Sequence, residues 1–179
     1  MVAYEILPPR EKDGTLNAYA ETISSLLSQT HIDAINIPEV HDEVGRGERP
    51  VSNQERGEPR KFGMLLQDIV GIEAIVNRVV VHMPLKKQME WIQETYSQFE
   101  IDNLIIVGGE SSKQKYPGPT VNRSLEKISQ DNKRRENSIL CGGICIPSRR
   151  KESKNLIRKS ECGAEFFTTQ VLCDSENVI

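Results

Sequence analysis

Four positions along the chain bring polar groups to the ends or the middle of apolar runs, and each is of a type that does chemistry. Glu5 sits inside "AYEIL", just ahead of Pro8-Pro9, and His82 closes "RVVVH". Gly108, Gly109 and Glu110 follow "NLIIV", and Gln170 lies in "FFTTQVL". A carboxyl or an imidazole can hold or move a proton. An amide both donates and accepts hydrogen bonds, and consecutive glycines let a backbone approach an anion closely. Each residue also has a plain structural reading. Glu5 would pair with a basic side chain, His82 would be a satisfied strand-end histidine, the glycines would mark a tight turn, and Gln170 would be a bonded core amide. Their convergence carries more than any one of them.

The elements that must position these groups alternate. Strand-like runs cover 3–7, 33–37, 78–82, 103–107, 138–146 and 166–172. Several are apolar with little alternation, as in a parallel sheet covered on both faces. Helical patterns cover 15–30, 61–76, 87–100, 120–131 and 151–163, with Thr120 as an N-cap and Gly163 as a stop. Six strands and five helices in β-α alternation predict parallel strands joined by right-handed crossovers. In such a fold the strand ends that carry Glu5, Asn36, His82, Glu110 and Gln170 lie on one side, where α/β sheets and barrels place their ligand sites. The count alone leaves a (β/α) barrel and an open doubly wound sheet both standing.

The remaining features bound the function. The chain has 179 residues and a net charge of −3 with mixed signs, which excludes a nucleic-acid-binding face of the usual kind. Lys133, Arg134 and Arg135 read as a solvated helix end; Arg149, Arg150 and Lys151 are either solvated or poised to meet an anion. The start lacks a leader pattern and no run is long enough to span a bilayer, so a soluble, cytoplasmic protein is expected. Cys141, Cys145, Cys162 and Cys173 lack metal-site spacing and read as reduced thiols, with Cys141 and Cys145 on one strand face. Residues 40–60 are charged and rich in Gly and Pro, which predicts a long loop insertion after the second strand.

Several segments together resemble the 5,10-methylenetetrahydrofolate reductases. "YEILPPR" (4–10) is similar to that family's first-strand motif, and "KSECGAEFFTTQVLCD" (159–174) to a late segment that ends in a T-Q pair. "RVVVHM" (78–83) and "LIIVGGE" (104–110) fall where the family has two further strand ends. The resemblance implies a TIM-type (β/α) barrel holding FAD. It implies reduction of 5,10-methylenetetrahydrofolate to 5-methyltetrahydrofolate with NAD(P)H as the electron source, in one-carbon and methionine metabolism. By position, Glu5 corresponds to the catalytic acid, a role that wants a carboxyl in an apolar setting. His82, Gly109, Glu110 and Lys159 correspond to flavin contacts, and Gln170 to the folate contact. No metal and no nucleic acid or membrane partner is implied.

The departures are specific. Glu110 replaces an Asp, Gly108 an Arg, Ile146 a Tyr and Pro38 a Thr; Arg149, Arg150 and Arg46 are the available replacement cations. The family barrel continues through two more β/α units beyond the sixth strand. The expectation is therefore a single barrel domain over 1–179 that is incomplete: a fragment, a chain completed by a second subunit or a homo-oligomer, or a non-catalytic folate-binding remnant without flavin.

Overall fold

Gly71 decides where the second α-helix ends. The computed structural model describes residues 2–40, 56–109, 114–135 and 139–169. Helix α2 runs over Pro59–Val70, opened by Glu58, whose carboxylate accepts from the Lys61 N–H at 2.8 Å, and by Pro59 in its first turn. Gly71 then takes a left-handed conformation (φ 69°), and its N–H closes the last turn on the Gln67 carbonyl. The helical reading of 61–76 overruns this stop. The apolar residues beyond it form strand β3, Glu73–Val79, buried from Ala74 on. His82 accordingly ends a short 3-10 turn, Val80–His82, rather than a strand.

The other elements follow the alternation. They are β1 (Ala3–Glu5), α1 (Leu16–Leu27), β2 (Ala34–Ile37), α3 (Leu85–Phe99), β4 (Asn103–Val107), α4 (Val121–Arg135), β5 (Leu140–Cys145), α5 (Glu152–Glu161) and β6 (Phe166–Thr169). Thr15 caps α1 through the Ala18 N–H, Thr120 serves α4 through the Arg123 N–H, and Gly163 (φ 108°) follows the end of α5. No helix among the described residues is long and apolar enough to cross a membrane.

The chain divides into two compact units, the first built from Met1–Asn77 and Thr95–Ile101, the second from Arg78–Glu94 and Asp102–Ile179. In the first, β1 pairs with β2 and β2 with β3, all parallel. A side chain added at Gly63 of α2 would lie 3.2 Å from Ile37 and 3.4 Å from Ala74, so these residues face the helix. Alternation then turns Asn36, Ile75 and Asn77 to the opposite face. Phe62 is fully buried and meets Tyr19 of α1 at 5.7 Å between ring centroids.

In the second unit β4 pairs with β5 and β5 with β6, again parallel. Leu104, Ile105, Ile106, Leu125, Ile128 and Ile139 are its buried apolar centre. The paired glycines of β5 are filled from their neighbours. The Phe166 ring lies on Gly142, while at Gly143 an added Cβ would be 3.1 Å from Lys159 Cδ and 3.3 Å from Phe167.

Candidate functional site

Each unit holds its own set of the residues singled out from the sequence. In the first, β1 is shorter than the run "AYEIL", and Ala3, Tyr4 and Glu5 are exposed; burial begins at Ile6 and continues in Pro8 and Pro9. Glu5 therefore stands in solvent rather than in the apolar setting expected of it. Glu5 is in register with Asn36, whose amide Nδ2 donates to Glu5 Oε2 at 2.9 Å. A carboxylate accepts only, so it orients the amide and leaves Asn36 Oδ1 pointing away from it. Asn36 and Asn77 are each only 7% exposed, and the Oδ1 of both is buried with no hydrogen-bond partner.

Beside this row, the segment leading into α2 is tied to the chain leaving β1. Gly57 N–H donates to the Pro9 carbonyl at 2.9 Å, and Arg56 Nη1 to the Pro8 carbonyl at 2.9 Å. Arg10 is held by Asp13 through Nε at 2.6 Å, and that guanidinium keeps the Asp13 carboxyl below the usual range. Most of the segment expected to be a loop insertion, with His41 and Arg46, lies outside the described residues.

In the second unit His82 and Gly109 are brought together by a residue the motif reading does not single out. Tyr116 meets His82 edge-on, with ring centroids 5.6 Å apart at 79°. The same ring covers Gly109, where an added Cβ would be 2.6 Å from the Tyr116 hydroxyl oxygen. Tyr116 is placed by Gly118, whose N–H donates to the Val81 carbonyl at 2.7 Å. An added Cβ at Gly118 would run into the backbone of Val80, Val81 and Met83. The segment that leads into α4 is thus seated on the turn that carries His82. The signal for it in the sequence is "YPGP" (116–119), a turn-forming cluster with an aromatic at its head.

Lys159 stands apart from that cluster. Its stem crosses Gly143, and its ammonium donates to the Ile144 carbonyl at 2.5 Å. Burial lowers its pKa, against the opposing charge of Glu152. Glu152 organises the turn before α5: it accepts from the Ile146 N–H at 3.0 Å, from Asn155 at 3.0 Å and from Arg149 at 3.4 Å. Burial alone would raise the Glu152 pKa, but these donors and the nearby cations outweigh it and the net shift is downward. Glu110 and Gln170 lie outside the described residues, as does Cys173.

Two further polar groups sit inside the second unit. Arg78 is 3% exposed; its Nε donates to Gln88 at 2.8 Å, and its guanidinium lies 4.3 Å from the centre of the Trp91 ring. Gln88 is fully buried and also donates to the Val80 carbonyl at 2.7 Å. Among the described cysteines, Cys141 and Cys162 are buried, Cys145 is half-buried and all are free thiols. Burial pushes the Cys141 pKa up to about 12.

The resemblance implies a bound FAD, and the described residues can be tested for it. The space beside Gly109 where a side chain would stand is covered by Tyr116, and the Lys159 ammonium is engaged by the Ile144 carbonyl. Gly109 and Lys159 are thus engaged within the chain, and Glu110 lies outside the described residues.

No family profile and no curated protein matches the sequence. Solved structures do match. An uncharacterized protein from Clostridium thermocellum, described as binding two copies of 5-methyl-5,6,7,8-tetrahydrofolic acid, superposes with a TM-score of 0.71 at 21% identity, over 99% of this chain and 57% of that one. A 2,3-dimethylmalate lyase of the PEP mutase/isocitrate lyase superfamily gives 0.59 at 10% identity, over 99% and 60%. N-acetylneuraminate lyase from Fusobacterium nucleatum gives 0.56 at 12% identity, over 98% and 55%. The fold is of the TIM type. Six parallel strands and five helices of it lie in the described residues, and the chain spans somewhat over half the length of each of these proteins.

Proposed function

We propose that this chain binds a reduced folate. The observation that carries the reading is the Glu5 carboxylate, exposed at the end of β1 and held by Asn36 at 2.9 Å, where a polar ligand can meet it. The reading is supported by the Clostridium thermocellum protein of the same fold, described as binding 5-methyl-5,6,7,8-tetrahydrofolic acid. Calorimetric titration with 5-methyltetrahydrofolate tests it. Saturable binding that Glu5→Ala weakens at least tenfold is expected, and no heat of binding at millimolar ligand refutes it.

The finer reading is reduction of 5,10-methylenetetrahydrofolate to 5-methyltetrahydrofolate. In it Glu5 delivers the proton that opens the methylene bridge, and Gln170 holds the pterin. FAD, when bound, supplies hydride chemistry fed by NAD(P)H, with His82, Gly109, Glu110 and Lys159 as its contacts. This reading requires Tyr116 to leave Gly109. Its test is a visible spectrum with added FAD, then the two half-reactions: Glu5→Gln is expected to keep flavin reduction by NAD(P)H and to lose folate reduction. A protein that stays colourless with FAD rejects it. The competing reading, folate binding without flavin, is compatible with the Tyr116 ring over Gly109.

A further inference from the structure

The face of β2 and β3 turned away from α2 carries an unusual pair of groups. Asn36 and Asn77 both point there, and each has an amide oxygen that is buried and unbonded. A buried polar atom left without a partner costs roughly 1–3 kcal/mol. A sequence that keeps two of them in largely apolar strands spends stability on something the folded chain alone does not use. The two positions are near neighbours. Asn36 is in register with Ile75, so Asn77 lies one strand over and two residues on. With strands ~4.8 Å apart and a rise of ~3.3 Å per residue, their Cα atoms are about 8 Å apart.

The row is also connected to solvent. Glu5, exposed, shares the Asn36 position on the adjacent strand and orients its amide. A polar track therefore runs from an open carboxylate to two closed-in carbonyl oxygens. The two buried amide oxygens accept hydrogen bonds, so a partner that satisfies them must donate.

We infer that Asn36 and Asn77 are ligand-contacting residues, and that they read a ligand edge carrying at least two N–H donors. On the folate reading above, on which this assignment of the ligand rests, that edge is the 2-amino-4-oxo ring edge, with its exocyclic amine and its ring N–H. Ligands with a single donor leave one oxygen unpaired and are disfavoured by the cost of that buried, unpaired group.

Asn77→Leu replaces the amide oxygen and nitrogen by methyl groups on the same branched skeleton. Two measurements are made on the full chain: affinity for 5-methyltetrahydrofolate by calorimetry, and the melting temperature without ligand. The expected result is at least tenfold weaker binding together with an unliganded melting point about 2–4 °C higher, since a costly unpaired group is gone. Wild-type binding with the variant within twofold of it overturns the inference and leaves the folate reading intact. If the wild type itself binds no folate, the folate reading fails and the melting point decides alone. A rise then upholds a donor-bearing ligand of another class. A fall shows that the protein or an ordered water already satisfies Asn77, and overturns it.

Discussion

Gly118→Ala is the sharpest test of how the second unit builds its loop. The substitution asks for a methyl group 2.5 Å from the Met83 carbonyl oxygen and 2.6 Å from the Val81 carbonyl carbon, with the Val80 carbonyl oxygen as close. All three atoms are backbone, so no side chain can swing aside. The loop must lift, and the 2.7 Å bond from the Gly118 N–H to Val81 goes with it. That bond is worth ~1 kcal/mol, and overpacking with backbone shifts costs ~1–3 kcal/mol. A total of about 2–4 kcal/mol, at a urea slope of ~2 kcal/mol/M, lowers the unfolding midpoint by about 1–2 M. The assay is urea unfolding followed by the fluorescence of Trp91, the single tryptophan and part of the same unit. Gly109→Ala is the internal control. Its obstacle is the Tyr116 ring, a side chain that can rotate away, so a cost below ~1 kcal/mol is expected. A Gly118→Ala midpoint within about 0.3 M of wild type, or a larger cost for Gly109→Ala, refutes the seating of this loop.

The remaining expectations concern buried polar groups. Gln88→Leu deprives the Arg78 guanidinium of its 2.8 Å acceptor inside the unit, with an expected cost of about 3 kcal/mol and an altered Trp91 emission; an unchanged midpoint and spectrum refute it. Glu152 has a lowered folded pKa, so its unfolded form binds the proton more readily and stability rises with pH through this window. Its contribution is full above the ordinary value of 4.5 and is lost as pH falls through the lower folded value. Glu152→Gln is expected to flatten the stability profile over that acid range, and an identical profile refutes the role.

Much of the architecture is legible because the periodicities are clean. β2 and β4 are apolar and buried nearly throughout, and α1 presents Ala20, Ile23 and Leu27 at helical spacing. The third strand is obscured because "IVGIEAIV" is apolar enough to continue a helix; only the left-handed Gly71 divides it. Of the proposed site, the pairing of Glu5 with Asn36 depends on strand register, which a single sequence does not specify. Asn77 and Arg78 are visible as polar intruders in "AIVNRVVV", but the partner that accommodates Arg78, Gln88, lies one helix later. Tyr116 over Gly109 is a matter of loop conformation and has no periodic signal at all.

The empty places of β5 bear on how the chain is made. Gly142 and Gly143 contribute no side chain, and the atoms that fill their notches belong to Lys159, Phe166 and Phe167, all of which come later. During synthesis from the N-terminus, β5 emerges with its surface unlined. It acquires a stable seat only when the next helix and strand have followed. Until then it is open to capture by a chaperone or by the wrong strand, and the emergence of Lys159, Phe166 and Phe167 ends that exposure.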